Sequence, residues 1–198
     1  MTGGRPLDGI AWPVRTERLT LRAAAKEDAA AMWRYRQLEP VYRWLQTVEH
    51  TFDDFQARFE DLDRLAKTLM VELEGEVIGD LMVAVEDAWA QADVAERARG
   101  VQAELGWSLD PRHTGRGYAT EAVRELLRIC FEDLGLRRVT ANCFADNEES
   151  WRLMERVGMR RETQTARESL HRTGGWLDGL GYALLADEWT ASLPRSSG

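Results

Sequence analysis

The sequence predicts an α/β (α+β) fold, a single mixed, mostly antiparallel sheet of about seven strands flanked by helices. Three observations predict it. Short segments of alternating apolar and polar residues recur from Arg18 to Leu185. Between them lie stretches whose apolar residues return every three or four positions, as on a helix with one buried face. Glycine-bearing turns separate the two kinds of segment, and there is no internal repeat. Elements that are each apolar on one side must pack in layers, so strands and helices share a core.

The elements follow in order. Residues 1–14 carry glycines and prolines and read as a loose arm; the domain spans 15–190, and 191–198 form a tail. Arg18 to Arg22 alternates as a strand, with Leu19 and Leu21 on one face. Asp28 to Leu38 reads as a helix. Thr51 suits the N-cap of a second, because Phe52, Phe55, Phe59, Leu62 and Leu65 form an apolar stripe. Leu69–Leu73 and Val77–Val85 flank Glu74-Gly75-Glu76 and predict a hairpin. The acidic, alanine-rich stretch Glu86–Gly100 has no period and reads as a mobile surface excursion. Gln102–Leu109 is a strand, Tyr118–Leu134 a helix and Arg138–Phe144 a strand. Asn147–Val157 is a helix ended by Gly158. Two more strands are expected around 160–168 and 177–185.

With 198 residues, 44% of them hydrophobic and 30% charged, the chain can bury a proper core. No apolar run approaches a membrane helix, and Met1 to Arg5 lacks the apolar core of a signal peptide, so a cytoplasmic protein is expected. Cys130 and Cys143 both fall in apolar patterns, which suits buried reduced thiols better than a disulfide, and two cysteines are too few for a metal site. The net charge of −8 argues against nucleic-acid binding and mildly favours a cationic ligand such as an amine.

The most informative stretch is Arg112-His113-Thr114-Gly115-Arg116-Gly117-Tyr118-Ala119. It reads strand, glycine loop, helix: from Ala119 onward Ala122, Val123, Leu126, Leu127, Cys130, Phe131 and Leu134 keep helical spacing. Such a loop points several backbone N–H groups, and the positive end of the helix dipole, at one spot suited to phosphate. Gly115 and Gly117 permit close approach and positive φ, and Arg112 and Arg116 flank the loop with charge. A lone G-x-G is more often a plain turn. The chain has neither G-K-[ST] nor G-x-G-x-x-G, so it lacks the P-loop and dinucleotide signatures. Context raises the signal: a further strand follows, and Asn147-Glu-Glu-Ser150 then opens another helix.

Taken together, R-x-x-G-x-G between strand and helix and the Asn147 segment resemble the GNAT superfamily of acyl-CoA-dependent N-acyltransferases. Glu104 to Pro111, Gly117 to Ala122, and Asn147-x-x-Ser150 with Val157-Gly-Met159 are similar to the branch that includes the ribosomal-protein N-terminal acetyltransferases. The resemblance covers roughly Arg15 to Trp189. It implies a sheet splayed at the cofactor site and direct transfer of an acyl group, acetyl or another short one, from acyl-CoA to a primary amine. That amine is a protein N-terminus or a small molecule. The resemblance gives the pyrophosphate to the backbone of Thr114, Gly115, Arg116, Gly117, Tyr118 and Ala119. It lays the pantetheine along the main chain of Trp107, Ser108 and Leu109, where an N–H would polarise the acyl carbonyl. Asn147 matches the residue that reaches the pantetheine amide, and it also reads as a helix N-cap.

Many members carry a tyrosine seven residues after that asparagine as acid for the leaving thiolate. Here the position is Met154, and Ser150, one turn earlier on the same face, is the hydroxyl placed to replace it, or else a plain first-turn residue. For the base the candidates are Glu104 first, then Glu168, with bulk water as a third option. Either glutamate also reads as a solvated strand carboxylate. His113 lies in the loop; His50 and His171 have no evident partners. Trp33, Trp44, Trp107, Trp151 and Trp176 read as core or pocket wall, or as platforms for a cation. Asp178 lines the acceptor pocket or closes a turn. No metal, nucleic acid or membrane is implied, and a homodimer is compatible with the resemblance. Two other functions stand beside it: an inactive acyl-CoA-binding sensor or scaffold, and a nucleotide-phosphate-binding regulatory domain.

Overall fold

A computed structural model describes residues 6–192. Two compact units are formed: one runs to Ala84 and takes in Leu105–Leu126, the other holds Val85–Glu104 and the chain from Leu127 onward. In chain order the elements are β1 (Val14–Arg15), β2 (Leu19–Ala23), α1 (Ala29–Arg36), α2 (Glu39–Tyr42), α3 (Phe52–Phe59), α4 (Leu62–Ala66), β3 (Thr68–Leu73) and β4 (Glu76–Glu86). Next come β5 (Gln102–Leu109), α5 (Tyr118–Arg128), β6 (Arg138–Phe144), α6 (Glu148–Arg156), β7 (Arg160–His171), β8 (Gly175–Leu185) and α7 (Ala186–Ser192). The described strands number eight rather than about seven; the extra one, β1, lies at the border of the expected arm.

In the first unit the strands follow the order β1-β2-β3-β4-β5, and β1–β2, β2–β3 and β3–β4 are antiparallel. Alternation puts Leu19 and Leu21 of β2 in the core, and β3 is buried over its first four residues. Glu74 (φ 52°) and Gly75 (φ 85°) form the two-residue turn between β3 and β4, both left-handed as a twisted hairpin requires. Met32, Tyr35, Phe55, Phe59 and Met70 form a buried cluster, with Trp33 packed against Phe52 and Phe55. Thr51 caps α3 by accepting from the Asp54 N–H, as expected. The single helix expected beyond it is two. Asp61 accepts from the N–H groups of Asp63 and Arg64 and starts α4 afresh, a break hidden by the unbroken apolar stripe.

In the second unit the order is β5-β6-β8-β7, with β5–β6 parallel and β6–β8 and β7–β8 antiparallel. After α5 a single π turn over Ile129–Asp133 closes with Leu134 N–H on the Ile129 carbonyl, and Gly135 (φ 65°) turns the chain. Val139, Ala141, Leu153, Met154, Tyr182 and Leu184 are buried.

Three expectations change. The stretch Glu86–Gly100 carries a 3-10 helix over Ala92–Ala98, tied by Ala88 N–H to the Ala98 carbonyl and Gly100 N–H to Asp87. Its polar composition reflects exposure, not lack of structure. Within the expected loose arm, Pro6–Gly9 is a 3-10 turn with Leu7 buried and Trp12 bonded to the Leu7 carbonyl; residues 1–5 lie outside the described chain. Helix α7 was not expected. It starts inside the domain and ends in the expected tail, and Trp189 stacks on Phe131 with its N–H on Glu132. Residues 193–198 of that tail lie outside the described chain. Among the described residues no helix is long and apolar enough to cross a membrane.

Candidate active site

Within the first unit β5 leads into the glycine loop. Asp110, 2% exposed, ends the strand and caps the 3-10 turn Pro111–His113 by accepting from the Arg112 N–H at 2.9 Å. The Arg112 guanidinium folds back onto the same carboxylate at 2.7 Å and onto Glu76 at 3.2 Å. Burial opposes charge on Asp110, yet these bonds outweigh it and hold the carboxyl below its usual range. Arg112 therefore braces the loop's entry, while Arg116 beyond it is exposed.

Gly115 (φ 72°) and Gly117 (φ 82°) are left-handed, and a Cβ on Gly115 would meet nothing within 4 Å. Arg18, just before β2, grips the far side of the loop. It donates to the Arg116 carbonyl (3.0 Å) and to Glu121 in the first turn of α5 (2.7 Å), and its guanidinium lies 4.6 Å from the Tyr118 ring centre. Glu121 also accepts from the Arg18 N–H and the Thr16 hydroxyl. Burial opposes charge there too, but Thr16 and Arg18 hold the carboxyl low. The His113 ring lies 6.5 Å from that of Tyr118, and its Nδ1 is buried with no hydrogen-bond partner among the described residues.

Behind the loop, β4 and β5 approach closely: a Cβ on Gly79 would lie 2.5 Å from the Ser108 carbonyl oxygen. Ser108 is buried, whereas Trp107 and Leu109 are half-buried. The Ser108 Oγ lies 3.5 Å from Nη2 of Arg36, whose guanidinium grips Asp80 through two bonds of 2.7 and 3.2 Å. Asp80, 2% exposed, also accepts from the Tyr35 hydroxyl at 2.8 Å. Burial and the Asp80 carboxylate push the Tyr35 hydroxyl well above its usual range.

In the second unit the parallel ladder runs from Gln102–Arg138 to Glu104–Thr140 and stops there. Glu104, half-buried at the last rung, accepts from the Asn142 side chain at 3.0 Å. Asn147 caps α6 by accepting from the Ser150 N–H at 3.3 Å, so the cap and the hydroxyl-bearing residue are one assembly. Ser150 also meets the thiol of Cys143. Burial pushes that thiol up to about 11, and the Ser150 hydrogen bond pulls the other way. Met154, which the resemblance sets where many members carry a tyrosine, is 1% exposed and faces the core.

Glu168 is exposed in the irregular stretch of β7 between Thr165 and Ser169, and it has no hydrogen bond or ion pair among the described residues. Of the two carboxylates, Glu104 is thus the one held in place. Asp178 accepts from the N–H of Arg167, whose φ is 50°, and so braces that irregular stretch; Trp176 is 61% exposed. His171 is buried and its Nδ1 receives the Gly174 N–H at 2.9 Å, which shapes the β7–β8 turn.

Sequence reasoning missed Thr16, Arg18, Glu121, Gly79 and the Arg36–Asp80–Tyr35 network. Arg18 and Glu121 stand 103 positions apart, so no local pattern links them. Only Asp110, directly before Pro111, carried a readable signal, that of a turn-capping carboxylate.

A family model described as "Acetyltransferase (GNAT) domain" matches residues 18–160. The uncharacterized N-acetyltransferase YnaD of Bacillus subtilis is 36% identical over 86 residues, which cover 43% of this chain and 50% of that protein. Among solved structures, a GNAT-family acetyltransferase from Bacillus anthracis is 28% identical, with a TM-score of 0.73 over 88% of this chain and 99% of that one. Mycobacterium smegmatis RimJ in complex with CoA-disulfide is 26% identical, with a TM-score of 0.69 over 90% of this chain and 85% of that one.

Proposed function

Because the chain belongs to the GNAT acetyltransferase family, as an acyl-CoA-dependent transferase, we propose that it moves an acetyl group from the CoA thioester to a primary amine by direct attack in a ternary complex. The observation that carries this reading is the loop: two glycines at positive φ open α5, and Asp110 on one side and Arg18 on the other hold the loop in shape. A preshaped row of N–H groups at a helix start suits the pyrophosphate of CoA.

Thr114, Gly115, Arg116, Gly117, Tyr118 and Ala119 would supply the N–H groups, with Arg116 adding charge. Arg112 reaches phosphate only by leaving Asp110, so its first role is to brace the loop. Trp107, Ser108 and Leu109 offer main-chain groups to the pantetheine and the acyl carbonyl. CoA contributes the activated thioester; the chain has to deprotonate the amine and protonate the thiolate. Glu104 is preferred as base, directly or through water, because Asn142 orients its carboxylate. Ser150 is the acid: its N–H is fixed by Asn147, and its neighbour Cys143 keeps its proton at neutral pH. Asn147 would reach the pantetheine amide. The acceptor is a peptide N-terminus or a small amine.

Free-thiol release from acetyl-CoA and succinyl-CoA, against a panel of amines and short N-terminal peptides, tests the reading. Gly117→Trp is the control, because any side chain at φ +82° is strained and its Cβ would meet Arg18 at 3.4 Å. Acceptor-dependent release that the control abolishes is the expected result. Absence of CoA binding would overturn the proposal.

A further inference from the structure

Three arginines of the first unit gather around two carboxylates. Arg36 is matched by Asp80 and touches Ser108. Arg58 lies 3.2 Å from Glu49, close enough for attraction, yet the Glu49 Oε1 is buried and makes no aligned hydrogen bond. Arg64, in the first turns of α4, is half-buried, and its guanidinium has no hydrogen bond or ion pair among the described residues. It lies within electrostatic reach of Arg36, Arg58, Glu49 and Asp80; burial, then Arg36, then Arg58 lower its pKa.

Half-burying a guanidinium beside two others costs free energy unless an anion joins them. The group carries one positive charge in excess, in a chain whose net charge is −8. A plain amine, itself a cation, would be repelled here. A planar carboxylate would find what it binds best, a guanidinium fork with free donors. Arg36 joins this cluster to Ser108, on the strand assigned above to the acyl carbonyl.

We propose that Arg64, with Arg58 beside it and Arg36 behind it, receives a carboxylate carried by the acceptor, so that the preferred acceptors are carboxylate-bearing primary amines. This rests on the transferase reading and narrows its acceptor class. It is compatible with the mild preference for a cationic acceptor drawn from net charge, because an amino acid carries both signs. The carboxylate is either the α-carboxylate of a free amino acid or an acidic side chain near a peptide N-terminus.

The test compares L-alanine with L-alaninamide, and Asp-Ala-amide with Asn-Ala-amide, in the wild type and in Arg64→Gln. The wild type is expected to favour the carboxylate partner of at least one pair, and the pair that discriminates identifies the source. Arg64→Gln is expected to shrink that selectivity about 10- to 100-fold, the effect of losing a charge-assisted fork. A purely structural role would move both members of a pair alike. Arg64→Lys, which keeps the charge without the fork, should retain part of the selectivity and stands in if the glutamine variant fails to fold.

Calorimetry reads the same contrast without turnover, using N-acetyl-L-alanine against its amide and N-acetyl-Asp-Ala-amide against its Asn counterpart. No carboxylate preference in either pair, by rate or by binding, would overturn the inference while leaving the transferase intact. Carboxylate binding that depends on Arg64 in a protein that does not bind CoA would support the anion site and sink the transferase reading alone.

Discussion

Replacing Asp80 by asparagine isolates the cost of an unanswered charge in the first unit. The substitution keeps the shape of the side chain but removes its charge. Arg36, with a side chain 14% exposed, then loses its counter-ion, and the Tyr35 hydroxyl loses an ionised acceptor. Removing one partner of a buried pair costs about 3–5 kcal/mol, because the remaining charge stays desolvated. In a chain of this size each kcal/mol lowers Tm by roughly 2–4 °C, so Asp80→Asn is expected to melt about 10 °C early. Urea unfolding should show the midpoint falling at an unchanged slope. Lys67→Ala is the control, since its partner Asp63 is 76% exposed and such a pair contributes less than about 0.5 kcal/mol. Tyr35→Phe should cost less in the Asp80→Asn background than alone, because both act on one network. A loss below about 1 kcal/mol for Asp80→Asn, or full additivity with Tyr35→Phe, would refute the reasoning.

Four further outcomes are expected. Ser150→Ala should lower kcat about 100-fold, the low end of general acid catalysis, while calorimetry finds CoA binding little changed; equal turnover would remove Ser150 from the chemistry. Glu104→Gln should abolish the acidic limb of the pH–rate profile, which Glu168→Gln should keep; the reverse pattern would exchange their roles. Glu121→Gln should raise the KM for acetyl-CoA, because Arg18 loses its anchor while still facing the Arg116 carbonyl. Since the folded state holds the Glu121 carboxyl low, its stabilisation is complete above the ordinary value near ~4.3 and is lost as pH falls through the folded value. The Glu121→Gln variant should therefore show a flatter acid limb of stability against pH, measured by urea midpoints between pH 3 and 6.

Much of this protein was legible in the amino-acid order because the responsible forces act over a few residues. Alternation placed β2 and β6, helical spacing placed α5 and α6, and Thr51 and Asn147 announced their caps. The glycine loop was readable for the same reason: positive φ is a property of single residues, and Gly115 and Gly117 state it directly. Where two local signals overlapped, the reading failed. The phenylalanine stripe concealed the break that Asp61 makes before α4, and polarity made the 3-10 helix at Ala92–Ala98 look shapeless.

Tertiary structure alone decided what the charges do. Arg112, expected to flank the phosphate loop with charge, also grips Asp110; Arg18, just before β2, holds the loop through Glu121. The net charge of −8 does not say where charges sit, whereas the fold brings Arg36 and Arg58 within electrostatic reach of Arg64. The physical reason is one of range. Propensities, turns and caps are settled between near neighbours in the chain. Ion pairs are settled by distance and burial: Arg112–Glu76, Arg36–Asp80 and Arg18–Glu121 join residues 36, 44 and 103 positions apart, where no pattern in the sequence can couple them.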